Sequence, residues 1–359
     1  MFQVPRSLLI AALLFLLTGC TPPASSAPSA SPSPSSEPSA TVTASPTAGA
    51  SASAPSSSAT PIPLPNTAQL SAPSGNVVWA FVAGSRLFRS TDRGDTWEER
   101  PVGLNVVGPN YQIAFIDAAR GWYATPGSPA TQCQFQSVGL ARTVDAGVSW
   151  TSLFEARPPT QPPDSNGLAN GRCKDGLSFI DAQRGFLNGW SSYLQPVIYR
   201  TVDGGGTWLS SSPLLDPPGF TTNFGGGGSL RADRVRAFGT TLLVMAHGAV
   251  DGRPVGYVFR SIDSGASWTY LTTLPDGGGA FAFVTASRWV QILLAGSSKE
   301  TTDGGATWHA FTTDYSQAAP IAPDIVFGDP LVGYATVRGA IQRTMDGGAH
   351  WTTIKTPGT

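Results

Sequence analysis

Thr201-Val202-Asp203-Gly204-Gly205-Gly206-Thr207-Trp208 is the cleanest copy of a stretch that the chain repeats six times. Other copies run from Ser90 to Trp97, Thr143 to Trp150, Ser261 to Trp268, Thr301 to Trp308 and Thr344 to Trp351. The template is [Ser/Thr]-x-Asp-x-Gly-x-[Ser/Thr]-Trp, and only Ala349-His350 breaks it, at the second hydroxyl position. Successive aspartates are about 53, 58, 60, 40 and 43 residues apart, the range that marks a solenoid, a propeller or an array.

Residue chemistry says what each copy does. The aspartates (Asp92, Asp145, Asp203, Asp263, Asp303 and Asp346) open a tight turn and can accept bonds from its backbone N–H groups. Glycine supplies a positive φ, and the hydroxyl closes the polar network. The tryptophans (Trp97, Trp150, Trp208, Trp268, Trp308 and Trp351) start the next strand with a large apolar surface. Each copy therefore predicts a hairpin turn with a packing anchor.

A second motif accompanies the first. It reads Phe115-Ile116-Asp117-Ala118-Ala119-Arg120-Gly121-Trp122 and returns as Phe179 to Phe186 and Phe327 to Tyr334. Together the two resemble the Asp-box, or bacterial neuraminidase, repeat of sialidases, xyloglucanases, sortilin-type receptors and photosystem II assembly-factor propellers. The pairing of Phe-x-Asp-x-x-x-Gly-aromatic with a following box is most similar to the assembly-factor-like propellers. That resemblance covers nearly the whole chain after residue 66. It implies peripheral boxes that hold the fold, and it identifies architecture rather than chemistry.

The strand pattern predicts an all-β, six-bladed propeller of four-stranded antiparallel blades. A seventh blade would need a stretch of about 40 residues without a box, and none is free. In blade 3 the strands are expected at 176–180, 185–189, 196–201 and 208–211. Blade 4 lacks the Phe motif, and 230–238 is only a plausible inner strand.

Before the repeats come two other segments. Residues 1–20 read as a lipoprotein signal peptide: Arg6, a short apolar run and Leu17-Thr18-Gly19-Cys20, which resembles a lipobox. Cys20 is then the lipidation site, which anchors the chain to a membrane without spanning it; the other reading is an ordinary secretory signal. Residues 21–66 are dominated by Ser, Pro, Ala and Thr, and such a segment reads as a disordered tether. The propeller occupies 67–359. The expected location is extracytoplasmic, on a cell membrane.

Composition narrows the function. The formal net charge is −1, which gives no footprint for nucleic acid. His247, His309 and His350 are scattered, and no Cys-x-x-Cys occurs, so neither a metal site nor a cofactor is predicted. Cys133 and Cys173 fall in loops at one end of adjacent blades, where an exported protein can form a disulfide; two buried free thiols are the alternative.

Both motifs mark the same end of the propeller, and the long insertions fall at the other: roughly 125–138, 155–175, 190–196, 213–229 and 247–255. Function tends to sit on long loops held by a rigid scaffold. The candidate ligand-binding residues there are Gln134, Phe135, Asp164, Arg172, Trp190, Tyr193, Phe224, Asp251 and Arg253, over blades 2–4. Trp190 and Tyr193 can equally be read as covers over the core. Five arginines (Arg89, Arg142, Arg200, Arg260 and Arg343) precede boxes by three residues from the Asp, and they read as ties between blades rather than as a sialidase triad. Few glutamates are available for paired-carboxylate chemistry, so no catalytic residue is assigned. The reading is a non-catalytic, monomeric binding or assembly scaffold for a protein or glycan partner. The alternative is a sialidase-like glycoside hydrolase of the cell surface.

Overall fold

A computed structural model of the chain describes residues 68–82, 84–102, 111–127, 133, 136–155, 166–168, 171–191, 194–220, 230–293, 297–315, 324–337 and 340–355. The chain divides into two units, Met1–Ser56 and Ser57–Thr359, and every described residue belongs to the second. The signal segment, Cys20 and the whole tether lie outside the described residues.

Six antiparallel sheets make six blades, each built from strands consecutive in the sequence. Blade 3 shows the pattern, with Cys173–Phe179 innermost, then Gly185–Trp190, Val197–Thr201 and Leu209–Ser210. Its inner strand starts three residues before the predicted 176. The five-stranded sheet is blade 4, where the expected inner strand is broken into Arg231–Ala232 and Arg236–Phe238. Blade 4 also departs at 247–255. That stretch is not a loop but the tip of a long hairpin, Thr241–Val250 paired with Arg253–Ser261. Asp251 (φ 49°) and Gly252 (φ 76°) make its two-residue turn, as Asp-Gly between strands favours.

The core is not one mass but six layers, one between each pair of adjacent blades. Aromatics of the second strands reach into the next blade: Trp79 of blade 1 stacks on Phe115 at 3.7 Å, and Trp122, which follows a motif glycine, stacks on Phe179 at the same distance. The glycine itself is required for space. A Cβ on Gly185 would lie 2.5 Å from Phe179 Cε1, and one on Gly333 would lie 2.8 Å from Phe327 Cε1. The phenyl ring of each motif thus lies over the glycine of its own hairpin.

Each box is a small, closed hydrogen-bond circuit. In blade 3, Thr201 Oγ1 donates to Asp203 Oδ1 (2.7 Å) and accepts from Gly205 N (2.9 Å). Thr207 donates to the same carboxylate through its N–H (3.0 Å) and its hydroxyl (2.7 Å). The sixth box keeps the circuit with a different donor: His350 Nδ1 lies 2.6 Å from Asp346 Oδ2, in place of the missing hydroxyl. Two successive residues take positive φ in every box, so Arg93, Ala146 and Ser264 adopt a conformation that glycine fills in the other three.

Closure of the ring uses side chains. Blade 6 meets blade 1 where Leu70 N donates to Asp324 Oδ2 (2.7 Å), Tyr334 Oη donates to Gly75 O (2.7 Å) and Trp97 Nε1 donates to Lys355 O (3.0 Å). Two of the box-preceding arginines also tie blades together, since Arg89 Nη1 donates to Ala118 O and Arg343 Nη1 to Arg93 O. Blade 5 has Glu300 at that position, and it pairs with Arg288, the residue before the neighbouring strand, which reaches Gly347 O of blade 6.

Candidate functional site

The inner strands of all six blades line a cavity of about 960 Å³ on the propeller axis. Its walls are uneven. Blade 5 contributes Phe281 and Phe283, and blade 6 contributes Phe327 with Asp324. Charge is concentrated on blades 3 and 4, in Lys174, Asp175 and the stretch from Arg231 to Arg236.

At the end away from the boxes, Asp175 Oδ2 accepts from Trp190 Nε1 (2.9 Å) and from Arg231 Nε (2.8 Å). The Arg231 guanidinium also lies over the Trp190 ring, 5.2 Å from its centroid, a cation–π contact. Burial pushes the Asp175 carboxyl up, against the pull of Arg231, and its buried Oδ1 has no hydrogen-bond partner among the described residues. Beside this group His247 Nε2 lies 3.1 Å from Asp233 Oδ2. That contact is the main reason the imidazole is raised above its ordinary value.

Deeper in the channel, two arginines of blade 4 reach to the far side. Arg234 donates to Leu70 O of blade 1 (2.7 Å) and to Asp324 Oδ2 of blade 6 (2.8 Å). Arg236 Nη2 donates to Phe327 O of blade 6 (2.6 Å). Burial, and then the neighbouring Arg234, bring Arg236 down to about 10.

The rim over blades 2 and 3 is fastened covalently. Cys133 and Cys173 form a disulfide with a Cα–Cα separation of 4.9 Å. Next to it Lys174, 3% exposed, donates from its N–H to Gln136 Oε1 (2.7 Å) and from Nζ to Gln136 O (2.9 Å). Burial lowers this amine to about 8, with Arg172 adding to the effect. The Gln136 side chain also donates to Gly127 O (3.0 Å). These links hold the blade 2 loop against the start of the blade 3 inner strand.

The residues proposed from sequence are dispersed. Trp190 lines the cavity. Arg172 is turned to Gln195 O, and Asp251 and Arg253 sit at the exposed tip of the blade 4 hairpin. Gln134, Phe135, Asp164, Tyr193 and Phe224 lie outside the described residues. Residues the loop argument passed over are Asp175, Arg231, Asp233, Arg234, Arg236 and Asp324. A signal for four of them was present, because the run from Arg231 to Arg236 carries four charges in a chain with only 13% charged residues. Among the described residues no group of three His, Cys, Asp or Glu side chains is placed to hold a metal ion.

No family model matches the chain, and no curated protein matches it. Solved structures do. A structure of YCF48 bound to D1 peptide is 18% identical, covers 79% of this chain and 95% of its own, and has a TM-score of 0.43. YCF48 from Cyanidioschyzon merolae is 17% identical over 83% of this chain and 89% of its own, with a TM-score of 0.47. The Hadza microbial sialidase Hz136 is 14% identical over 80% of this chain and 65% of its own, also at 0.47. Such values carry no functional argument. The six-bladed assignment rests on the sheet order and the six boxes.

Proposed function

We propose that the protein is a lipid-anchored, extracytoplasmic propeller that binds a protein or glycan partner through the face opposite the Asp boxes, over blades 2–4, without catalysis. The observation that carries this reading is the Trp190–Asp175–Arg231 group at that end of the axial cavity. An indole held by its N–H and backed by a guanidinium is a preorganised, amphipathic contact of the kind enriched at binding hot spots. The disulfide and the Gln136–Lys174 bonds fasten the loop beside it. Cys20 would supply the anchor and residues 21–66 the reach, roughly 35–40 Å as a flexible coil.

Capture from a membrane extract together with a glycan array tests the reading, using the wild type and Trp190→Ala. A specific ligand lost on substitution, with unchanged thermal unfolding, is the expected result. A ligand held equally by both proteins would refute the assigned surface.

One observation favours the hydrolase alternative. Asp175 lines the cavity and burial raises its carboxyl, as a general acid requires. Hydrolysis of any polysaccharide that is abolished by Asp175→Asn would select that alternative over binding alone.

A further inference from the structure

We propose that the axial cavity is a binding site for a small organic carboxylate, with Arg236 of blade 4 taking its charge. The charges along the axial cavity do not balance pair by pair. Among the described residues every carboxylate on the cavity wall is already engaged: Asp175 with Arg231, Asp233 with His247, and Asp324 with Arg234. Arg236 is left with no carboxylate of its own. Among the described residues its one partner is a backbone carbonyl, Phe327 O at Nη2. That bond takes one of the two Nη2 hydrogens and leaves the other parallel to an N–H of either Nε or Nη1, so one fork remains. Asp324 stands near enough to act on Arg236, but its Oδ2 already accepts from Arg234 and from Leu70 N. Lys174, the other cation without a carboxylate, is buried and bonded to Gln136 O.

A cation in a space of low dielectric is costly unless paired. The fork of a guanidinium matches a carboxylate through two parallel N–H bonds. Phe281, partly exposed, lines the same cavity and supplies apolar wall for the rest of such a ligand. A volume of about 960 Å³ suits a small molecule. Arg234 spans the channel from blade 4 to blades 1 and 6, which obstructs a threading polymer. The lowered pKa of Arg236 agrees with a cation that lacks its counter-charge. This site goes beyond the partner surface above and stands or falls separately from it.

Calorimetric titration of the folded protein with citrate at pH 7, against sulfate at matched ionic strength, tests the proposal. Saturable citrate binding is expected, about 10- to 100-fold weaker in Arg236→Gln, as for loss of a charged hydrogen bond, and partly retained in Arg236→Lys. Absence of saturable citrate binding, or an unchanged affinity in Arg236→Gln, would overturn the site. Equal binding of sulfate would overturn the carboxylate class. Should Arg236→Gln fail to fold, phenylglyoxal labelling of the wild type read by mass spectrometry gives the same decision. Citrate is expected to protect Arg236, and equal labelling with and without citrate counts against the proposal.

Discussion

At the six outer turns a buried hydroxyl, a carboxylate and a glycine N–H meet in the same arrangement in blade after blade. Along the axis no such repetition exists: blade 5 presents phenylalanines where blade 4 presents arginines. The outer rim can repeat because each box solves one local problem, closing a hairpin and seating a tryptophan. The axis is where blades meet, so a residue there is free to differ from its equivalents. Repeats therefore report architecture, and departures from them report what the propeller does.

The largest expected effect breaks the rim. Trp208 is 2% exposed and packs edge-on against Phe179 in the layer between blades 2 and 3. Trp208→Ala is expected to cost about 3–5 kcal/mol in urea unfolding. Ligand binding by the molecules that stay folded should not change. Loss of binding without loss of stability would erase the distinction between rim and axis.

Next comes the disulfide, which closes a span of 40 residues. Removing it by Cys133→Ser with Cys173→Ser is expected to cost about 2–4 kcal/mol. It should also weaken partner binding, because it frees the loop beside Trp190. Peptide mapping without reduction checks the bond itself, and unfolding and capture of the double variant check the rest.

Smaller still is the loss of one hydroxyl. Thr201→Val keeps the shape but leaves the buried Gly205 N–H and one Asp203 lone pair without their partner. About 1–3 kcal/mol is expected, again by urea unfolding, with binding unaffected.

Acid sharpens the comparison further. Hydroxyl bonds from Thr96, Ser149, Ser267 and Thr307 are the largest influence in bringing Asp92, Asp145, Asp263 and Asp303 down to about 2. Asp203 and Asp346 reach the same value although burial pushes them the other way. A carboxylate with a depressed native pKa stabilises fully above its unfolded value of about 3.9, and that contribution fades as pH falls through about 2. The urea midpoint should drop between these limits. His350 has the opposite sign, since Asp346 raises it. Its contribution is present below about pH 6.5 and is lost as pH rises through its higher native value. His350→Thr should reduce that alkaline-side change to the share of His247, which Asp233 raises in the same way, and leave the acid one.

The smallest effect is a gain. Ala146 holds φ 64° where Gly204, Gly304 and Gly347 occupy the same box position. Ala146→Gly is expected to stabilise by about 0.5–1 kcal/mol, because relief of the left-handed backbone outweighs the added chain entropy. A lower thermal midpoint would contradict this.

Much of the rim could be read from sequence. The boxes fixed the blade count, and in blade 3 all strand limits but one fall within a residue of those expected. The sequence reading assigned the motif glycine no role of its own, yet the contact of Gly185 with Phe179 shows that it is needed for space. Blade 4 was misread because a strand interrupted at 233–235 leaves no clean period, although Asp251-Gly252 gave a sound turn signal. The axial site was hidden for a different reason. Arg234 and Asp324 are far apart in the chain, and their meeting depends on how the ring closes, which spacing alone does not contain. Loop length drew attention to Asp251 and Arg253 at a hairpin tip. The charge lay on inner strands.

Hydrogen–deuterium exchange of the protein, with and without the ligand recovered by capture, tests the division between rim and axis most directly. Protection is expected over 173–176, at 190 and over 231–236, with the six box turns unchanged. Protection confined to the box turns, with the inner strands of blades 3 and 4 unaffected, would contradict the account.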